Sequence, residues 1–313
     1  MPDFQAQISQ RERFSEESAS ALERNVKALQ SALYTLVVDK VLGSLETDES
    51  GLIKFTVANI NTTNRFKQVW SAHQRQTNGL LKWIVQQLVK LFDLNTAYMR
   101  EVSAVTDSLE ERARNKLLLS LGFDIDKKAI IQDSWLYNLA AQAEIKQRVM
   151  SRLSFAIQSK MPLDKFRKEF RDDFLDTQKG LGYLSRYFNQ KSADIFFKFD
   201  RATQQVYAEQ LRLKWRVYSG TLMEPVKGRT KGSRPFCRQR LNNIYSNDEI
   251  EKWRNLEFAG RVDPYDPFLD CGSIHCRHNW SVISDEMKNT LEKRGRKVNE
   301  YNPLPIGQTL TRY

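Results

Sequence analysis

A hydrophobic stripe near the N-terminus constrains the fold most. Leu22, Val26, Leu29, Leu33 and Leu36 recur at spacings of four, three, four and three. Residues three and four apart share one face of an α-helix, so the spacing predicts a long amphipathic helix starting near Ser15. It also suits a helix–helix seam of coiled-coil type. The loop "ETDESG", Glu46–Gly51, then breaks the pattern. A second stripe follows at Leu81, Ile84, Leu88 and Leu91, with Trp70 and Trp83 adding bulk and Gly79 a candidate interruption. "DSLEERARNKLLLSLG", Asp107–Gly122, has acid near its start and a glycine at its end, the signature of a capped helix.

The helical pattern continues to about residue 210. Ile145, Val149, Leu153 and Ile157 form a stripe that Pro162 ends. A short helix is expected around Phe166–Phe170 and a long one across Leu184–Leu211. Tyr183, Tyr187, Phe188, Phe196, Phe197 and Phe199 crowd this last stretch. Such aromatics serve either as core or as a stacking surface for bases, and core is the expectation. The run "GLLKWIVQQLVKLF", Gly79–Phe92, is broken by Lys82, Gln86, Gln87 and Lys90. It reads as a buried helix face and not as a membrane span. The first residues lack the apolar core of a signal peptide. Three cysteines without an export signal fit a reducing compartment and free thiols.

At Leu213 the period changes. In "LKWRVYSG", Leu213, Trp215 and Val217 alternate with Lys214, Arg216 and Tyr218, which predicts a half-buried strand with a basic outer face. "EPVKGRTKGSRP", Glu224–Pro235, reads as a basic loop. "SNDEIEKW", Ser246–Trp253, opens a short helix with a Ser-x-x-Glu capping box. "DPYDPFLDCG", Asp263–Gly272, is expected to be irregular, "NWSVIS" to be a strand, and "SDEMKNTLEKRG" to be a terminal helix. The expected architecture is therefore mainly α. A long helical N-terminal region (1–210) leads into a small α+β C-terminal module with few short strands (211–300), and an extended tail follows (301–313).

Charge is unevenly placed. Arg212, Lys214, Arg216, Lys227, Arg229, Lys231, Arg234, Arg238 and Arg240 stand against one acid, Glu224. This leaves +8 in that segment, against +11 for the whole chain. Such a cluster suits either the phosphate backbone of nucleic acid, without base readout, or an acidic protein surface.

The chemistry-bearing residues gather in "CGSIHCRHNW", Cys271–Trp280, which holds two of the three cysteines and two of the three histidines. Cys237, Cys271, Cys276 and His278, with His275 as a substitute, have the donor types zinc prefers. Their spacing lacks the paired C-x2-C knuckle. A second reading makes His275 or His278 a general base, with Asp263, Asp266 or Asp270 holding a metal, as in a nuclease. In a third, the cluster simply closes a compact module by packing and hydrogen bonding. Cys237 and Cys276 are also a candidate disulfide, and one cysteine of the three must stay unpaired within the chain.

"YSG", then "SRPFC" (Ser233–Cys237), "IYSNDEIEKW" and "CGSIHCRHNWSVIS" together resemble the C-terminal module of the phage Mu F-like head morphogenesis family, the minor head proteins of tailed bacteriophages. "LLLSLGFD", "KMPLDKFRKEF" and "ADIFFKFDRATQQVYAEQL" fit the layout that precedes it. The resemblance runs from about Leu117 to Ser284, with its specific part at the C-terminal end. The chain departs from the family in two places. The loop between Gly220 and Ser233 is longer and more basic, and where the family usually has two adjacent glycines before the Cys-Arg-His this chain has "CGSIHCRH", so that Cys271 and His275 are additions or replacements. A ligand set that includes them is therefore not inherited.

The resemblance implies a virion protein, present in few copies at the capsid interior or portal vertex and made in the host cytoplasm. Its partners would be the portal protein, other capsid proteins, further copies of itself through its helices, and packaged DNA. Its role would lie in head morphogenesis, DNA packaging or ejection, and it would not be an enzyme. The residues after "CRH" leave no room for the toxin or nuclease domain that some longer relatives carry. Cys237, Glu249, Trp253, Cys276, Arg277 and His278 would hold the module together, with Arg277 pairing with a nearby aspartate. No cofactor is implied with certainty, and zinc is the candidate.

Overall fold

The computed structural model describes residues 4–178, 180–192, 194–224, 232–273 and 276–299. Lys227, Arg229, Lys231, His275 and the tail 301–313 lie outside the described residues. The chain is mainly helical, with two very long helices before residue 103 and a small sheet near its C-terminal end. Helix α1 spans Phe4–Lys40, α2 Val57–Ile60, α3 Thr62–Val102 and α4 Asp107–Leu121. A two-stranded hairpin, β1 (Phe123–Asp124) with β2 (Ala129–Ile130), precedes α5 (Trp135–Ala141), α6 (Ala143–Gln158), α7 (Leu163–Phe174), α8 (Tyr183–Ser192) and α9 (Ile195–Leu211). The C-terminal part then runs β3 (Trp215–Ser219), α10 (Pro235–Arg240), β4 (Ile244–Ser246), α11 (Asn247–Glu251), α12 (Pro267–Asp270), β5 (Asn279–Ile283), α13 (Asp285–Lys293) and β6 (Val298–Asn299).

Helix α1 starts eleven residues earlier than the apolar stripe predicts. Its main buried stripe is Ile8, Arg11, Ser15, Ser18, Leu22, Val26, Leu29, Leu33 and Val37, with Gln30 buried beside it. Their spacing averages about 3.6 residues, the turn of a straight helix and not of a supercoiled seam. Val37, and not Leu36, is the last buried position. Gly79 does not interrupt α3. It sits exposed, with nothing within 4 Å of the place a Cβ would occupy, and the flanking turns are held by buried Thr77, Leu80 and Leu81. The predicted helix Leu184–Leu211 is two helices, α8 and α9. Five of the six aromatics are buried, as core; Tyr187 is half-buried and donates its hydroxyl to the Asn138 carbonyl at 2.8 Å.

The chain forms two compact units, and their division does not follow the boundary read near residue 211. One unit comprises 20–86 and 119–193. Its aromatic core includes Phe166, Phe170 and Phe174, one turn apart on α7, with Tyr34 and Tyr183 against them. His73 is fully buried there and pairs with the Gln142 side chain at 2.9 Å.

The other unit comprises 1–19, 87–118 and 194–313. Its sheet has the order β5-β3-β4-β6; β3 is antiparallel to β4 and β5, and β4 is parallel to β6. On one face Tyr218, Tyr245 and Trp280 join Phe236, Ile250, Trp253, Tyr265 and Phe268. On the other, Val217, Ile244 and Ile283 pack with Leu291, Trp215 and Met287. Both faces are covered, so β3 is not the half-buried strand with a basic outer face that its alternation predicts.

Strand β5 is a sheet edge, whose outward backbone groups need partners. Gln204 accepts from the Val282 N–H at 2.9 Å and Tyr98 donates to the Val282 carbonyl at 2.8 Å. These residues belong to a buried ring of polar groups. Gln204 donates to Asn95 (2.6 Å), Asn95 to Asp200 (2.6 Å), and Arg11 pairs with Asp200 at 3.4 Å while its guanidinium lies 4.6 Å from the Tyr98 ring centre. Arg11 also donates to Ser281 on β5 at 3.1 Å.

Candidate metal centre

The "YSG" of strand β3 delivers Tyr218 into the aromatic face and then turns at Gly220. Gly220 has φ 135°, which glycine tolerates, and a Cβ there would press on the His278 ring at 3.0 Å. Helix α10 begins with Pro235 in its first turn, where a missing N–H costs nothing. It buries Phe236 and Cys237. Ser246 accepts from the Glu249 N–H at 3.2 Å and so caps α11, as the capping box predicts. The chain then delivers Trp253 against Tyr218, Phe236, Tyr245 and Trp280. "DPYDPFLDCG" is not wholly irregular: Asp266 caps the short helix α12 by accepting from the Phe268 N–H.

Three donor groups converge. Cys237 Sγ lies 3.9 Å from Cys276 Sγ, and Cys276 Sγ lies 3.6 Å from His278 Nδ1. All three donor atoms lie within 4.8 Å of one another, and all three residues are buried. The Tyr218 hydroxyl is 3.4 Å from Cys237 Sγ and 3.7 Å from Cys276 Sγ, and its ring stacks on His278. The Gly272 N–H donates to Cys276 Sγ at 3.2 Å. A Cβ on Gly272 would collide with Cys237 Sγ and press on Cys276 Sγ at 3.1 Å.

Cys271 is fully buried but stands outside this group, hydrogen-bonded to the Arg201 guanidinium. Arg201 is itself buried and donates to the carbonyls of Phe197 (2.9 Å) and Cys276 (3.4 Å). The expected four-residue set of Cys237, Cys271, Cys276 and His278 is thus reduced by one.

The electrostatics follow from burial and from Arg201. Burial pushes the Cys271 thiol up to about 12, against the pull of Arg201. Burial alone would also raise Cys276, but hydrogen bonds from Cys237 and His278 and the Arg201 charge outweigh it and hold that thiol well below its ordinary value. Cys237 is raised, first by its hydrogen bond to Cys276 and then by burial. Burial keeps the Tyr218 phenol well above its usual range, so it stands as a hydrogen-bond donor.

Among the described residues, which leave out His275, the nuclease geometry is not assembled. His278 is buried, and the three candidate acids have other partners: Asp263 pairs with Arg261, Asp266 with Arg254, and Asp270 with Lys198 at 2.8 Å. Among the described residues Arg277 is exposed and makes no ion pair with these aspartates, contrary to its expected role.

The basic segment is not one surface either. Arg212 and Lys214 are exposed, but Arg216 is 1 % exposed, bonded to Asn247 (2.8 Å) and Gln205 (2.5 Å) and stacked on Phe268. Arg240 lies 3.8 Å from the Phe236 ring centre and 4.6 Å from that of Trp253, Arg234 donates to the Gly272 carbonyl, and Arg238 forks onto Glu224. Arg216 is therefore withdrawn as a nucleic-acid contact, and Arg234 and Arg240 are committed to the module.

Sequence reasoning missed Tyr218, Arg201 and Gly272 as members of the site. The "YSG" motif pointed to the first. Nothing in the pattern of α9 marks Arg201 as its one buried cation turned toward cysteines.

The fold and site define a mainly helical chain whose small mixed module is closed around a buried Cys/Cys/His group. Compared with protein-family models, curated proteins and solved structures, the chain has no match.

Proposed function

We propose that the chain is a minor head protein of a tailed bacteriophage, non-enzymatic, acting with the portal in head morphogenesis, DNA packaging or ejection. One observation carries the reading: the separated motif segments pack as one core. Cys237 of "SRPFC", Ile250 and Trp253 of the capped segment, Cys276 of "CRH" and Tyr218 of "YSG" belong to a single buried cluster with Trp280. Segments brought together in this way support treating the motif as one module and not as chance matches.

The partners proposed are the portal protein, other capsid proteins, and packaged DNA through backbone contacts at the exposed Arg212 and Lys214. No helix among the described residues is long and apolar enough to cross a membrane. Mass spectrometry of purified particles tests the assignment. Peptides of this chain at a low, fixed ratio to the major capsid protein are expected, and their absence from DNA-filled particles would reject it.

A further inference from the structure

We propose that Cys237, Cys276 and His278 form a zinc site with the Tyr218 hydroxyl at its fourth corner, and that Cys271 belongs to Arg201 instead. The inference does not depend on a role in phage heads.

The argument is geometric. Tetrahedral zinc, with Zn–S near 2.3 Å and Zn–N near 2.0–2.1 Å, has S···S edges of about 3.8 Å and S···N edges of about 3.6 Å. The Cys237–Cys276 separation is 3.9 Å and the Cys276–His278 separation 3.6 Å. An oxygen ligand would stand about 3.5 Å from each sulfur by the same geometry. The Tyr218 hydroxyl stands at 3.4 and 3.7 Å. These four of the tetrahedron's six edges are matched together, and the Cys237–His278 edge, within 4.8 Å, must shorten.

The chemistry agrees. Two thiolates balance a divalent ion, so the bound site carries no net charge into a buried position, where an unpaired charge is costly. Two sulfurs and an imidazole select zinc over oxygen-preferring calcium or magnesium. The surroundings are those of an outer shell: the Gly272 N–H donates to Cys276 Sγ, and Gly272 and Gly220 are the two positions where any side chain would invade the ligands. Cys271 fits no corner, because it is bonded to Arg201 and lies outside the converging donors. With its fourth corner filled by a protein side chain in an aromatic core, the site is a clasp between β3, α10 and the start of β5, with no open position for substrate.

The test uses the full chain, purified from zinc-supplemented medium, with metal counted by mass spectrometry and replaced by cobalt(II) for absorption spectra. One zinc per chain is expected, with a thiolate-to-cobalt band of two-sulfur intensity and the visible bands of a four-coordinate ion. Cys271→Ser retains the full equivalent, whereas Cys237→Ser and Cys276→Ser lose it. Tyr218→Phe keeps the two-thiolate band but shifts the visible bands. The wild-type measurement stands alone should any variant fail to fold, with near-UV circular dichroism checking each. Natively folded wild-type protein that takes up no zinc or cobalt, or a spectrum of three sulfurs, would overturn the proposal. So would a Cys237–Cys276 disulfide in the freshly purified chain.

Discussion

Glu12 is a carboxyl group in a poor solvent. Burial raises it above its ordinary value, against a hydrogen bond from Ser219 and the charge of Arg11. A carboxyl raised on folding contributes its stability below the unfolded value, near 4.5, and that contribution is lost as pH rises through the folded value. Glu12→Gln should therefore raise the urea midpoint at pH 7 and leave it nearly unchanged at pH 4. A midpoint that falls at pH 7 would show that the ionised form is favoured. His73 has the opposite sign. Burial lowers it, more than its bond to Gln142 raises it. Its contribution is present above about pH 6.5 and is lost as pH falls toward the folded value. His73→Gln should flatten the fall in midpoint between pH 7 and pH 5, as followed by circular dichroism.

At the scale of elements, Gly79 offers a clean measurement. It is an exposed glycine inside a continuous helix with open space where a methyl would go. Gly79→Ala should stabilise the protein by about 0.5–1 kcal/mol in equilibrium unfolding, through helix propensity alone. The same glycine shows how far elements were legible in the sequence. Stripes of Leu, Ile and Val predicted α1, α3 and α6 because apolar burial has a helical period, and Ser246 marked the helix it caps. The reading failed where polar residues are buried. Arg11, Ser15 and Ser18 continue the buried face of α1 without being apolar, so the apolar stripe begins later than the helix does. Arg216 looked like the wet side of a strand because alternation reports polarity, and polarity stands for exposure only when the group has no partners inside. Within the site, the ligand types were legible from composition. Which cysteine faces which partner was not, because Cys237 and Cys276 come together from segments far apart in the chain and Cys271 takes a φ of 51° that its residue type does not announce.

For the whole molecule, the ion pair of Arg11 with Asp200 decides whether the discontinuous unit holds. Both side chains are almost wholly buried. Removing one partner of a buried pair leaves an uncompensated charge and typically costs about 3–5 kcal/mol. Arg11→Ala should lower stability by that order in urea unfolding, while Arg11→Met with Asp200→Asn should recover much of it. Equal losses in the single and double variants would reduce Arg11 to a packing residue.

The reach of Arg11 has a further consequence during synthesis. It bonds to Ser281, 270 positions along the chain. When the first helix leaves the ribosome, strand β5 has not been made, so the buried arginine and its neighbours on α1 must wait, solvated and unpaired, through most of translation. Contacts of such separation form late and slowly. The residues of the other unit, all before position 194, are available well before that. A nascent chain halted short of β5 would therefore be cut by protease within residues 4–19, and become resistant there only once the strand has emerged.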